Sequence, residues 1–144
     1  MYIILTNPSA PEISGFEVGY WVDVAAGYDS NFYRLGNNLE KPGSDLGDSS
    51  NHMQGDYVVQ FDEPVPAAPS VILVRWQYML LTPMVVSLNL GPAVVQSIDD
   101  EYPAYYSEGS VIPVPMGYQC CLVNADCGLT EKVTSFGHVK SLYR

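Results

Sequence analysis

The chain has 144 residues, 47% of them hydrophobic and 15% charged, and its 6 Lys and Arg stand against 16 Asp and Glu for a net charge of −10. One domain of this length has enough apolar content for a real core, which excludes disorder and coiled coil. So acidic a surface repels phosphate backbones, which excludes nucleic-acid binding, favours solubility and leaves carboxylates for divalent cations.

Eleven tyrosines, eleven prolines and twelve glycines favour strands and turns over helices. No window repeats apolar residues at helical spacing over three turns. The expected fold class is all-β, an antiparallel β-sandwich of jelly-roll type with little or no helix. The opening "MYIILTNPSAPE" has no basic region and too short an apolar run for a secretory signal. In "GFEVGYWVDVAA", Phe16, Val18, Tyr20, Val22 and Val24 share one face, and Glu17, Gly19, Trp21 and Asp23 the other. That period of two predicts a half-buried antiparallel strand.

The polar segment 36–56, "GNNLEKPGSDLGDSSNHMQGD", reads as a long loop. Within a single-domain chain it would join an amino-terminal extension, residues 1–50, to the main sandwich. "DYVVQF" alternates again, with Tyr57, Val59 and Phe61 on one face. In "EPVPAAP", Pro64, Pro66 and Pro69 cannot donate ladder hydrogen bonds, so the expectation is an extended crossing from one sheet to the other. "VILVRWQYMLL" is apolar on both faces except at Arg75 and Gln77. It predicts a central strand covered on both sides, by a second sheet or a neighbouring subunit.

Between Val65 and Ile98 the only charge is Arg75, but Pro83 and Pro92 cut the stretch into strand-length pieces. No membrane span is expected. "MVVSLNL" alternates as a strand, residues 96–110 form a second loop, and "GYQCCLVN" and "KVTSFGHVKSLY" read as closing strands.

Asp45, Asp48, Asn51 and Asp56 carry the oxygen donors that calcium favours, without the EF-hand spacing. Asp99, Asp100 and Glu101, with Tyr102, Tyr105, Tyr106 and Glu108, form the most ligand-like cluster. Carboxylates accept sugar hydroxyls and aromatic faces stack on sugar rings; equally, tyrosines in such a loop pack on a partner subunit. His52 and His138 lie far apart, and Cys120, Cys121 and Cys127 lack zinc or redox spacing. Buried structural thiols are the expectation for them. No phosphate-cradling loop, nucleophile elbow or metalloprotease helix is present in the sequence, so a non-enzyme without a required cofactor is expected.

"VVQFDEPVPAAPSVILV" resembles the F-x-x-P-(x)-P-x-V-x-V pattern that opens H-type lectin domains, modules similar to those at the receptor-binding ends of bacteriophage tail fibres. "MGYQCCLVNADCGLTEKVTSFGHVKSLY" is similar to that family's closing hairpin, so the likeness runs over residues 57–143. It implies a small antiparallel sandwich assembling as a trimer, with sugar sites near subunit boundaries. Where the family has an aromatic-histidine pair, this chain has Ala125 and Asp126, and Met84 stands where a sugar-contacting arginine would begin a strand. No sugar-binding residue therefore carries over. The resemblance implies a virion surface protein of tail-fibre, spike or capsid-decoration type, assembled in the host cytoplasm. Its partners would be its own copies, other virion proteins and a host-surface glycan. A free-standing lectin module is the alternative, and a small hydrolase using Asp99, Asp100 or a cysteine is a third.

Overall fold

The structure, a computed structural model, describes residues 1–115, except 26, 28, 99 and 100, together with residues 120–123. Among them the chain is all β, its only helical piece a 3₁₀ turn at Asp29–Asn31. The strands are β1 (Tyr2–Thr6), β2 (Glu12–Val24), β3 (Phe32–Leu39), β4 (Gly43–Asp45), β5 (Gln54–Pro66), β6 (Ser70–Leu80), β7 (Val86–Gly91), β8 (Ala104–Ser107), β9 (Ser110–Pro113) and β10 (Cys120–Val123).

They form two antiparallel sheets. The smaller runs β1-β6-β3; the larger runs β10-β7-β2-β5-β4, with β8 beside β2 and β9 beside β8. The long β2 pairs with β8 at Gly15–Glu17 and with β7 at Gly19–Val24, and β5 takes its other edge. The inward faces of both sheets supply the core, as the period of two predicts. Phe16, Val18, Tyr20 and Val22 of β2, and Tyr57, Val59 and Phe61 of β5, are all buried. From the smaller sheet Ile3, Leu5, Phe32, Val71, Val74 and Trp76 meet them.

A polar thread runs through this core. The Trp76 indole N–H donates to the Tyr57 hydroxyl at 2.5 Å, and Tyr57 donates to Asn37 Oδ1 at 2.5 Å. Arg34 of β3 turns inward, donating to the Tyr20 hydroxyl at 3.0 Å and to the carbonyls of Ser49 and Ser50. One guanidinium thereby ties the 46–53 segment to both sheets, because its several donors reach different acceptors at once.

The amino-terminal strands are integral to both sheets, so residues 1–50 are no extension. β1 pairs along β6, and β2 lies within the larger sheet. Nor is 36–56 one loop: it holds the end of β3, all of β4 and the start of β5. Short polar strands there lack the apolar alternation that identifies a half-buried strand in a sequence. The prolines also sit differently from expectation. Val65 and Pro66 still pair with Ile13 and Glu12, while residues 61–64 stand opposite Ser14 alone in a wide bulge. Pro64 lies in that bulge, where β2 asks no hydrogen bond of it. The crossing itself is residues 67–69, and it does carry the chain from the larger sheet to the smaller.

β6 is central in its sheet, as expected, but among the described residues only one of its faces is covered. Ile72, Arg75, Gln77 and Met79 are exposed. A bulge at Leu73 lets two consecutive residues, Leu73 and Val74, both face the core, which breaks the simple alternation. The strand's apolar run is thus divided between a core face and an open face.

Burial pushes the Tyr57 hydroxyl up to about 12 and raises that of Tyr20 as well. A folded value above the unfolded one means stability complete below about pH 10, the ordinary tyrosine value. It is lost as pH rises from there through about 12. Ultraviolet titration of tyrosinate, followed together with circular dichroism, is expected to show Tyr57 ionising only as the fold is lost. Complete tyrosine ionisation with the fold intact would contradict the buried thread.

Candidate functional site

Two surface features stand out, and each is built by residues that the core does not use. The first covers the outer side of β2. Glu17 points away from the core yet is only 1% exposed, and Asp56 beside it is also buried. What covers them is the segment after β7. The Ser97 N–H donates to both Glu17 carboxylate oxygens at 3.2 and 3.1 Å, and the Val94 N–H donates to Asp56 Oδ2 at 2.9 Å. From β8 the Tyr106 hydroxyl donates to Glu17 Oε2 at 2.6 Å. Burial, and after it the carboxylate that it serves, raise the Tyr106 hydroxyl above its ordinary value, so it remains a donor at neutral pH. Neutral donors satisfying a buried carboxylate keep its desolvation tolerable.

Pro92 crosses β2 at Gly19, where an added Cβ would lie 2.1 Å from the Pro92 carbonyl oxygen. Only glycine admits so close a backbone approach. The segment is thus pinned at both acids, and from the first pin onward it presents Val94, 85% exposed, and Val95, 74% exposed. An apolar tip on a fixed loop has little conformational freedom to lose on binding. The sequence reading missed these two valines, because nothing in "GPAVVQS" shows that its backbone is held from beneath.

The tyrosines of the expected carbohydrate cluster do not share one exposed surface. Asp99 and Asp100 lie outside the described residues. Tyr105 is 3% exposed, so its ring offers nothing to a ligand. Its hydroxyl instead accepts the Ser9 and Ala10 N–H groups at 2.9 and 3.0 Å, strapping the turn between β1 and β2. Tyr106 is half-buried on Glu17, and of the three tyrosines only Tyr102 is exposed. The segment 96–110 is not all loop, since it holds β8, the hairpin turn and the first residue of β9. Glu108 and Gly109 both have positive φ, 47° and 76°, as a two-residue turn of type I′ needs.

The calcium candidates serve as turn acceptors. Asp45 Oδ1 accepts the Gly47 and Val58 N–H groups at 3.0 and 3.1 Å, and its Oδ2 accepts the Ser49 hydroxyl at 2.7 Å. Asp48 Oδ1 accepts the Ser50 hydroxyl at 2.7 Å, Asn51 Oδ1 the Met53 N–H at 2.8 Å, and Asp56 Oδ1 the Asp48 N–H at 2.8 Å. Among the described residues no group of three or more His, Cys, Asp or Glu is placed to hold a metal. His52 lies against the Phe32 ring, centroids 6.0 Å apart. Cys120 and Cys121 belong to β10, paired with Asn89 and Leu88 of β7. Cys127, Ala125, Asp126, His138 and the expected strand "KVTSFGHVKSLY" lie outside the described residues.

The second feature is the outer face of the smaller sheet. Cross-strand pairing sets Ile4 against Ile72 and Tyr33 against Met79. Tyr2 and Leu35 extend the two clusters, and all six side chains are exposed. Among the described residues the charge between them is one ion pair, Arg75 Nε to Glu40 Oε1 at 3.1 Å, so the face they form is close to neutral on a chain of net charge −10. Exposed Arg75 and Gln77 lie between the two clusters along β6, and exposed apolar clusters of this kind mark surfaces that meet a partner.

Comparison with family models, with curated proteins and with solved structures finds no match to this chain.

The Glu17 anchor is open to direct test. Glu17→Gln and Tyr106→Phe are each expected to destabilise the fold by about 1–3 kcal/mol in urea unfolding. Their double mutant should show a coupling of at least about 0.5 kcal/mol. Purely additive losses would mean that the tyrosine does not hold the carboxylate.

Proposed function

We propose that this chain is a non-enzymatic β-sandwich of a virion surface, of tail-fibre, spike or capsid-decoration type, which works by assembling with its own copies and with other virion proteins. The observation that carries the reading is the open outer face of the smaller sheet: Tyr2, Ile4, Ile72, Tyr33, Leu35 and Met79 around a single ion pair. Apolar patches of this kind, on a chain otherwise so acidic, mark surfaces that are covered in the working state. The resemblance of residues 57–143 to H-type lectin modules supports the placement at a virion surface, and the shown antiparallel sandwich is compatible with it. Attachment to a receptor or host-surface glycan falls, in this reading, to the pinned loop carrying Val94, Val95 and Tyr102.

Density-gradient sedimentation of lysate from the producing cells tests the assembly. The chain is expected to band with particles through a high-salt wash, since apolar contacts resist screening. The paired change Leu35→Glu and Met79→Glu is expected to move it to the soluble fraction, with thermal unfolding unchanged because both side chains point outward. A wild-type chain found only as a soluble monomer would overturn the reading. For the loop, Val94→Asp with Val95→Asp is expected to lower binding of purified protein to the host cell surface at least tenfold without loss of stability. Unchanged binding would remove the loop from that role.

A further inference from the structure

Resting on the assembly reading, we infer that a second copy of this chain docks at the free edge of β1, strand to strand and antiparallel, about a two-fold axis through Ile4. Among the described residues β1 pairs only with β6. The Met1 carbonyl accepts the Trp76 N–H, and the Asn7 N–H donates to the Pro69 carbonyl. Odd-numbered residues of β1 thus turn their backbone groups toward β6. The strand's alternation then sends the N–H and C=O groups of Tyr2, Ile4 and Thr6 to the open side.

An open edge of this kind is normally protected by a charge, a proline or a bulge. β1 is "YIILT", with none of these. Its one register irregularity comes from the extra residue on the β6 side, so its outer edge stays regular.

The strand is also complementary to itself. Paired about Ile4, Tyr2 meets the partner's Thr6, and the exposed residues Tyr2, Ile4 and Thr6 share a face with their counterparts. Ile4 already stands directly opposite Ile72. The two-fold would therefore lay an unbroken apolar row across a six-stranded sheet, Ile72 and Ile4 of one copy followed by the partner's Ile4 and the partner's Ile72. On the inner side Ile3 and Leu5 line a cleft of about 70 Å³, with Phe16, Leu73, Leu90 and Val114. That cleft opens beside the β1 edge, and the partner's Leu5 and the partner's Ile3 would stand across its mouth. Charge permits this approach, since β1 carries none and the sheet face is close to neutral. Strand addition joins copies by main-chain hydrogen bonds and leaves specificity to the side chains on either face. An isologous contact closes at two copies, in place of the threefold that the H-type resemblance implies.

Light scattering across a concentration series tests the inference on the wild-type chain, Ile4→Lys and Leu35→Lys. The wild type is expected at twice the 15.8 kDa chain mass. Ile4→Lys sets two like charges against each other on the axis, and is expected to raise the dissociation constant by at least about a hundredfold. Leu35→Lys, on the same sheet face but on β3, should leave the dimer intact. Hydrogen exchange adds a readout of the edge: the amides of Tyr2, Ile4 and Thr6 should be slow in the dimer and fast in Ile4→Lys. A trimer, or an oligomer that survives Ile4→Lys or yields equally to Leu35→Lys, overturns the β1 contact and leaves the assembly reading standing. Slow exchange at those three amides in the Ile4→Lys monomer also overturns it, because another segment of the same chain then covers the edge. A wild-type chain monomeric at every concentration sinks the contact and the assembly reading together.

Discussion

The indole of Trp76, on the smaller sheet, reaches across the core to the hydroxyl of Tyr57 on the larger one. Both groups are buried, and a buried donor left without a partner costs on the order of 1–3 kcal/mol, so this bond constrains how the two sheets lie on each other. Asn37 and Arg34 extend the same constraint to β3 and to the segment that follows β4. Aromatic rings fill the space around it: Tyr20 meets Trp76 edge-on at 5.0 Å, and Phe16 packs against Phe61 at 5.8 Å. With the inward faces committed in this way, the remaining chemistry of the chain is pushed to the outer sides of the two sheets.

The two outer sides are treated differently. On the larger sheet, Glu17 and Asp56 would be ordinary surface acids if the segment after β7 did not pass over them. That segment needs partners for its N–H groups, and the acids need donors, so each satisfies the other. Tyr106 completes the arrangement, and Tyr105, its neighbour, faces inward to strap the first turn. On the smaller sheet nothing among the described residues covers the apolar side chains. Among the described residues its outer face and its β1 edge lie open together, and β1 itself carries no charged side chain.

That contrast unites the functional readings. On the proposed reading, the sandwich carries two contact surfaces, a nearly neutral apolar face and a loop pinned from beneath. The nearly chargeless face suits association, because bringing acidic chains together is otherwise opposed by their mutual repulsion. The pinned loop suits recognition, because its two valines are held out by backbone hydrogen bonds and not by chance of conformation.

The fold class was legible in the amino-acid sequence because a strand's side chains alternate whatever surrounds them. Phe16, Val18, Tyr20 and Val22 could be placed on one face from local chemistry alone, whereas the proline-rich stretch reads as the crossing although most of it belongs to β5 and only residues 67–69 cross. Alternation says which residues share a face; it does not say what lies against that face. Glu17 and Glu12 are the same residue type on the same strand, yet only Glu17 is buried, because a distant segment folds over it. Tyr105 and Tyr106 are adjacent and identical, yet the first is a core strap and the second a surface anchor, since neighbours on a strand point opposite ways. The short polar β4 and the open side of β6 were invisible for the same reason. Local pattern determined the strands and their inward residues, whereas coverage, edges and hydrogen-bond partners came from residues far apart in the chain, and only the tertiary structure brought those together.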